Sequence, residues 1–77
     1  MNKTKRQKLE IVEDLLERAK DIVEDVRDAE QDSLDSMPEN LEASDRYAAM
    51  EEAVDALDSA ITSIEEAQSA IGDAKSA

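Results

Sequence analysis

Carboxylates are the groups in this sequence with the greatest capacity for chemistry. The 77 residues include 21 Asp and Glu, no His and no Cys. Without imidazole or thiol, the seven serines have no histidine to act as a base and no cysteine can act as nucleophile. Lys20 is the one cation that could serve as a base, but its position predicts an ordinary ion pair with Glu17 or Glu24. We therefore expect no catalytic site and no enzyme.

The carboxylates also lack the spacing of a metal site. A di-iron helical bundle uses Glu-x-x-His motifs that project inward, and the chain has no histidine. A calcium loop needs alternating acids around a central glycine, and the segment DSLDSMPE at positions 32–39 has neither. The sequence therefore predicts no metal site and no cofactor.

Charge is distributed unevenly along the chain. Four of the nine basic residues lie in positions 1–8, which leaves 5 basic and 21 acidic residues, or −16, in positions 9–77. Such a surface repels nucleic acid and anionic membrane and attracts basic proteins. No apolar run approaches the roughly 18 residues of a membrane span, and no signal peptide is recognisable. We expect a cytoplasmic protein that binds neither nucleic acid directly nor membrane.

The elements that carry these charges are two amphipathic helices. Helix one is predicted at about 4–35, a turn at 36–43, helix two at about 44–72 and a small polar tail at 73–77, all in one domain. Ser44 is the predicted N-cap of helix two, and Gly72 is predicted to end it. Apolar residues on helix one recur at spacings of three and four, and Ile11 lies off this stripe. The positions of that stripe are Leu9, Val12, Leu16, Ala19, Val23 and Val26.

Helix two carries two parallel heptad seams. One seam is of large residues: Tyr47, Met50, Val54, Leu57, Ile61, Ile64, Gln68 and Ile71. The other consists of small residues: Ala49, Ala53, Ala56, Ala60, Ser63, Ala67, Ala70 and Ala74. Together they span an apolar arc of about 160°, more than one partner helix can cover.

This arc predicts the fold class: all-α, an antiparallel two-helix hairpin that associates into a homodimeric four-helix bundle. Pairing the large seams places Leu16 near Ile64 and Val26 near Val54. The small side chains are left over and allow close approach of another helix. The predicted oligomer interface is therefore the alanine seam, with Ala49, Ala53, Ala56, Ala60, Ala67 and Ala70. The alternative is that these alanines serve only as strong helix formers.

The acidic residues form a regular outward stripe on helix one. Its six carboxylates come about every 5 Å, more sparsely than the phosphates of a DNA strand at ~3.4 Å. Helix two and a second copy raise the density towards that of a duplex. The predicted partner-binding residues are Asp14, Glu17, Asp21, Glu24, Asp55 and Asp58. A solvated face that only confers solubility is the alternative. Glu30 is an exception in the core register, where we expect a bond to Arg46 or Tyr47.

The overall layout, and above all the segment DSMPENLEASDRY at positions 35–47, resembles a group of short acidic helical-hairpin proteins encoded by tailed bacteriophages and prophages. The resemblance implies a viral setting inside a bacterial host cell. Small acidic viral proteins without catalytic residues resemble inhibitors of host defence. These include anti-CRISPR and anti-restriction proteins that occupy nucleic-acid grooves.

Three functional hypotheses follow from these features. The first is a non-enzymatic inhibitor that binds a basic host protein, with DNA mimicry as one route. The second is a structural or assembly protein that builds a larger helical bundle through the alanine seam. The third is a sponge for an anionic small molecule, for which the available cations are Lys3, Lys5, Arg6, Lys8 and Arg46.

Overall fold

Nearly all of the described part of the chain is helical. The computed structural model describes residues 1–38, 40 and 44–77. Within these residues it contains two helices and no strand: α1 spans Lys3–Asp35 and α2 spans Asp45–Ser76. The predicted all-α class is confirmed. The turn predicted at 36–43 includes positions 39 and 41–43, which lie outside the described residues.

Side-chain caps determine where both helices begin. The Asn2 side chain accepts a hydrogen bond from the Lys5 amide at 2.9 Å, and Ser44 Oγ accepts one from the Tyr47 amide at 3.2 Å. Each cap satisfies an amide that has no carbonyl partner in the first turn. The predicted cap at Ser44 is confirmed. At the other end of α1, the Ser36 amide still bonds the Asp32 carbonyl, two residues before Pro38 interrupts helical geometry.

The prediction that Gly72 ends helix two is wrong. α2 continues through Gly72 to Ser76, and Gly72 has no positive φ angle that would mark a helix C-cap. Three contacts hold the last turn. Ser76 Oγ donates to the Gly72 carbonyl at 3.1 Å, Arg6 Nε donates to the Lys75 carbonyl at 3.2 Å, and Lys75 Nζ bonds Glu13. Docking on α1 therefore outweighs the low helix propensity of one glycine.

α1 and α2 pack as an antiparallel hairpin. The Met1 ammonium group donates to the Ala77 carbonyl at 3.2 Å, so the two chain ends meet. The molecule is a thin rod of 59 × 15 × 13 Å. The Met1 to Ala77 contact agrees with the predicted register to within one helical turn.

The hairpin encloses very little core. Among the described residues only Val54 is buried, with 6% of its surface exposed. The other large apolar residues of the contact are half-buried, including Leu16 and Val23 on α1 and Leu57 and Ile64 on α2. Two helices share a single line of contact, so each core side chain keeps one flank towards solvent. Packing between α1 and α2 alone therefore shields little apolar surface.

A second apolar stripe on α1 is left outside this contact. Ile11, Leu15, Ile22 and Val26 each expose between 52% and 64% of their surface. Val26 was expected in the core opposite Val54, and that prediction is wrong. At about 100° per residue, Val26 lies with Ile22 on the flank of α1 and not with Val23 on its inner side.

Replacing Gly72 by alanine is expected to stabilise the protein. The residue is helical, and a Cβ atom built there has no atom within 4 Å apart from the neighbouring backbone of its own helix. Alanine in a helix is favoured over glycine by about 0.5–1 kcal/mol. Thermal unfolding followed by circular dichroism at fixed protein concentration should show a melting temperature higher by a few degrees. An unchanged or lower melting temperature for Gly72→Ala would mean that α2 ends before this position.

Candidate protein-interaction surfaces

One side of the hairpin is joined by polar contacts between the helices. Arg27 Nε donates to Asp58 Oδ1 at 2.8 Å, and Lys75 Nζ bonds Glu13 Oε1 at 2.6 Å. The hydrogen bond that Lys75 donates to Glu13 is the largest cause of the raised pKa of Lys75. These contacts lie beside the apolar line of contact and fix how the helices are rotated about their axes.

Glu17 belongs to the same set of contacts. Its carboxylate accepts a hydrogen bond from Gln68 Nε2 at 2.7 Å and lies 3.5 Å from Lys20 Nζ. The hydrogen bond from Gln68, followed by the charge of Lys20, lowers the pKa of Glu17. The ion pair predicted between Lys20 and Glu17 is confirmed. Glu17 thus links α1 to α2, whereas the sequence had suggested a purely outward carboxylate.

Asp58 also bonds within the hairpin. It shares the Arg27 guanidinium with Asp28, whose Oδ1 lies 3.0 Å from Arg27 Nη1. The hydrogen bonds that Arg27 donates to Asp28 and then to Asp58 raise the pKa of Arg27. Two of the six predicted partner-binding carboxylates, Glu17 and Asp58, therefore already have partners in the hairpin.

The other four predicted residues differ in exposure. Asp14, Asp21 and Asp55 are exposed, and Glu24 is half-buried. Asp14 and Asp21 lie one turn before and after Glu17 and so share its side of α1. We call this side the acidic face. It consists of Glu10, Asp14, Glu17, Asp21, Glu24 and Asp28 on α1 with Glu51, Asp55, Asp58 and Glu65 on α2.

The exposed apolar residues lie on the opposite side of the hairpin. Ile11, Leu15, Ile22 and Val26 are between about 120° and 180° away from Glu17 around the α1 axis. On α2 the alanine seam turns to the same side. We call the combined surface the apolar face: Ile11, Leu15, Ile22 and Val26 of α1 with Ala49, Ala53, Ala56, Ala60, Ala67 and Ala70 of α2.

The structure divides the alanine seam into two rows. Ala53, Ala60 and Ala67 are half-buried beside α1, whereas Ala49, Ala56 and Ala70 are exposed. Each row has the seven-residue spacing of one heptad position. The sequence placed Leu15 and Ile22 at one side of the apolar stripe of helix one and Ile11 off it, but the predicted interface included none of these residues and did not include Val26. The signal was present, because Leu15 and Ile22 also lie seven residues apart on one flank of the helix.

Several other kinds of site find no support in the described part of the chain. Residues 1–38, 40 and 44–77 form no pocket and contain no group of three or more Asp or Glu that could hold a metal ion. The cations considered for an anion site lie far apart. Lys3 to Lys8 are at the start of α1 and Arg46 is at the start of α2, the opposite end of a 59 Å rod.

Comparison with known proteins gives no relative from which a role could be transferred. No family model, curated protein or solved structure matches the chain. Neither of the two described helices is long and apolar enough to cross a membrane. The two faces described above are therefore the features that any proposed function has to use.

The contacts of Glu17 predict a specific pH dependence. Because the pKa of Glu17 is lowered in the folded chain, the unfolded chain binds the proton more readily. The contribution of Glu17 to folding stability is therefore complete above its unfolded pKa of about 4.3. It is lost as the pH falls through the lower pKa of the folded chain. We expect the melting temperature of Glu17→Gln to fall less than that of the wild type between pH 5 and pH 3.

The matched control for this experiment is Glu52→Gln, which removes an exposed carboxylate on α2. Melting curves of the three proteins should be recorded at equal concentration and ionic strength. The control should keep the wild-type pH profile. If Glu17→Gln and Glu52→Gln have the same profile, the Glu17 contacts with Gln68 and Lys20 do not contribute to stability.

Proposed function

We propose that this chain is a non-enzymatic, cytoplasmic binding protein that acts as a homodimer. The apolar face joins two hairpins into a four-helix bundle, and the acidic face of each hairpin binds a basic protein. The partner class that fits best is a nucleic-acid-binding protein of host defence, as for anti-CRISPR or anti-restriction inhibitors. The observation that supports this proposal is the separation of the two faces onto opposite sides of one rod.

The dimer is supported by what the single hairpin leaves exposed. With only Val54 buried among the described residues, the hairpin removes little apolar surface from water. Four large aliphatic side chains in one stripe are an exposed patch of the kind that marks protein interfaces. The apolar face extends over about 32 Å from Ala49 to Ala70, at 1.5 Å per residue, which is roughly half of the 59 Å rod.

A substitution in the exposed row of alanines tests the dimer. Ala56 is open to solvent in the hairpin, so leucine fits there in a monomer but overfills a close helix contact in a dimer. We expect Ala56→Leu to cost about 1–3 kcal/mol of dimer stability. Analytical ultracentrifugation should show a wild-type dimer at micromolar concentration and a shift of the variant towards monomer.

The control for this test is Ala48→Leu, an exposed alanine on the other side of α2. It should leave the dimer intact. A fully helical wild-type monomer whose melting temperature does not change with concentration would refute the dimer. A dimer equally stable in both variants would show that copies associate through another surface.

The acidic face supports binding to a basic groove. Four-helix association through the apolar faces would leave the two acidic faces on opposite outer sides of the bundle, where both are accessible. Each combines carboxylates from two helices, which brings its density nearer to that of a duplex than one stripe alone. Complementary charge accelerates association and is weakened by salt. DNA mimicry at the groove of a DNA-binding protein is the route that this arrangement favours.

A structural or assembly role is the second candidate. The observation in its favour is that the apolar face runs along much of the rod, as in proteins that build extended bundles. Such a role predicts association that is insensitive to salt and needs no basic partner. The proposed sponge for an anionic molecule is less well supported, because Arg46 lies at the opposite end from the other four cations.

Neutralising the available carboxylates tests the inhibitory role. Asp14, Asp21 and Asp55 can be replaced together by glutamine, a better helix former than aspartate, while the contacts of Glu17 and Asp58 are retained. We expect this variant to stay helical and dimeric but to lose protection of phage DNA. The readout is the plating efficiency of a restriction-sensitive or CRISPR-targeted phage on bacteria that express each protein.

The control removes charges away from the acidic face, with Asp45 replaced by asparagine and Glu52 by glutamine, both exposed on the other side of α2. Wild type and control should raise plating efficiency, and the acidic-face variant should not. Equal protection by both variants would contradict recognition through the acidic face. Absence of any protection by the wild type against both systems would shift the proposal to the structural role.

A further inference from the structure

We propose that the second copy binds with its α1 antiparallel to α1 of the first, around a twofold axis that passes between positions 18 and 19. This inference rests on the proposed dimer and specifies which helices meet in it. Two arrangements can bring the apolar faces together with twofold symmetry. In one, α1 packs on α1 and α2 on α2. In the other, each α1 packs on the α2 of its partner.

The spacing of the exposed stripe on α1 fits the first arrangement. Ile11 and Val26 lie at equal distances from the midpoint between positions 18 and 19, and so do Leu15 and Ile22. In a twofold interface, residue i contacts residue j and residue j contacts residue i. Ile11 of one copy therefore meets Val26 of the other, and Leu15 meets Ile22, so that four large side chains of each copy are covered.

The alanine seam of α2 has a matching centre. Its positions run symmetrically about the midpoint between Ile61 and Thr62, so that Ala56 pairs with Ala67 of the second copy. One straight axis can serve both helices only if the two midpoints lie at the same height in the hairpin. The contacts of Met1 with Ala77 and of Glu17 with Gln68 place the two midpoints at the same height to within about one turn. The second contact joins residues at somewhat different heights, because helical side chains tilt towards the N-terminus of their own helix.

Charge complementarity also favours α1 against α1. The antiparallel arrangement places positions 1–8, with four basic and no acidic residues, beside positions 29–36 of the second copy, with three acidic and no basic residues. Packing α1 on α2 would instead place positions 25–35 beside positions 45–55, which hold four acidic residues and one basic. Like charges repel in that arrangement and attract in the other.

Lys8 and Glu30 form the most specific pair across this interface. They lie at nearly equal distances from the proposed axis, Lys8 one turn before Ile11 and Glu30 one turn after Val26. Glu30 is half-buried, and the expected ion pair with Arg46 is absent among the described residues. Lys8 of the second copy would supply a partner for this carboxylate.

A single cysteine tests the position of the axis. The chain has no native cysteine, so Ala19→Cys introduces one thiol per copy. Near the axis of two antiparallel helices the paired Cα atoms fall within the 4.4–6.8 Å that a disulfide needs. Mild oxidation with a copper–phenanthroline catalyst should convert the variant to a covalent dimer on a non-reducing gel. The control Ser59→Cys, on the outer side of α2, should stay monomeric.

The two arrangements give different results, since packing α1 on α2 sets the two α1 helices diagonally across the bundle and out of disulfide reach. A wild-type dimer in the ultracentrifuge whose Ala19→Cys variant does not cross-link would overturn this inference and leave the proposed dimer standing. A wild-type monomer would overturn the proposed dimer itself.

Charge reversal tests the pair independently of cysteine chemistry. Lys8→Glu and Glu30→Lys should each raise the dimer dissociation constant about threefold to tenfold, and the double variant should return it to within about twofold of the wild type. Circular dichroism confirms that each variant remains helical. A double variant no better than the single ones would exclude contact between Lys8 and Glu30 and contradict the proposed axis.

Discussion

The constraint on which the whole molecule depends is that two helices can share only one line of contact. Along that line the hairpin buries Val54, and its other large apolar side chains remain half open to water. Without Phe or Trp, no single side chain is large enough to shield its neighbours. The exposed stripe on α1 and the alanine seam on α2 are consequences of this geometry, because both lie where a third and a fourth helix would complete the core.

The polar contacts between the helices decide which side stays apolar. Arg27, Lys75 and Gln68 each donate across the hairpin to a carboxylate, and two of these carboxylates, Asp58 and Glu17, belong to the acidic face. Individually, exposed ion pairs contribute little to stability. Their effect here is on rotation, since holding Glu13 and Glu17 next to α2 turns Ile11, Leu15 and Ile22 to the opposite side. The same carboxylates that stabilise the hairpin thus help to expose its apolar face.

Local sequence signals predicted the fold better than the surfaces. The N-cap at Ser44 and the heptad spacing of the apolar residues act through contacts within one or two helical turns. The start of α2 and the all-α class could therefore be predicted from the sequence. The predictions for Gly72, Val26 and Glu17 were wrong or incomplete because each depends on the neighbouring helix. Docking on α1 extends α2 past Gly72, and the rotation of α1 leaves Val26 exposed. Gln68 of α2 donates a hydrogen bond to the Glu17 carboxylate. Rotation of one helix against another is not encoded in the periodicity of either helix, and this is why the split of the alanine seam could not be predicted.

Charge and apolar burial oppose each other in any assembly of this chain. Each copy carries a net charge of −12, so two copies repel at long range. Joining the apolar faces keeps the acidic faces as far apart as the bundle allows, and antiparallel α1 helices add attraction between the basic start of one copy and the acidic end of the other. In the proposed dimer, apolar burial and charge separation would therefore favour the same arrangement. Both acidic faces would then stay accessible to the proposed basic partner.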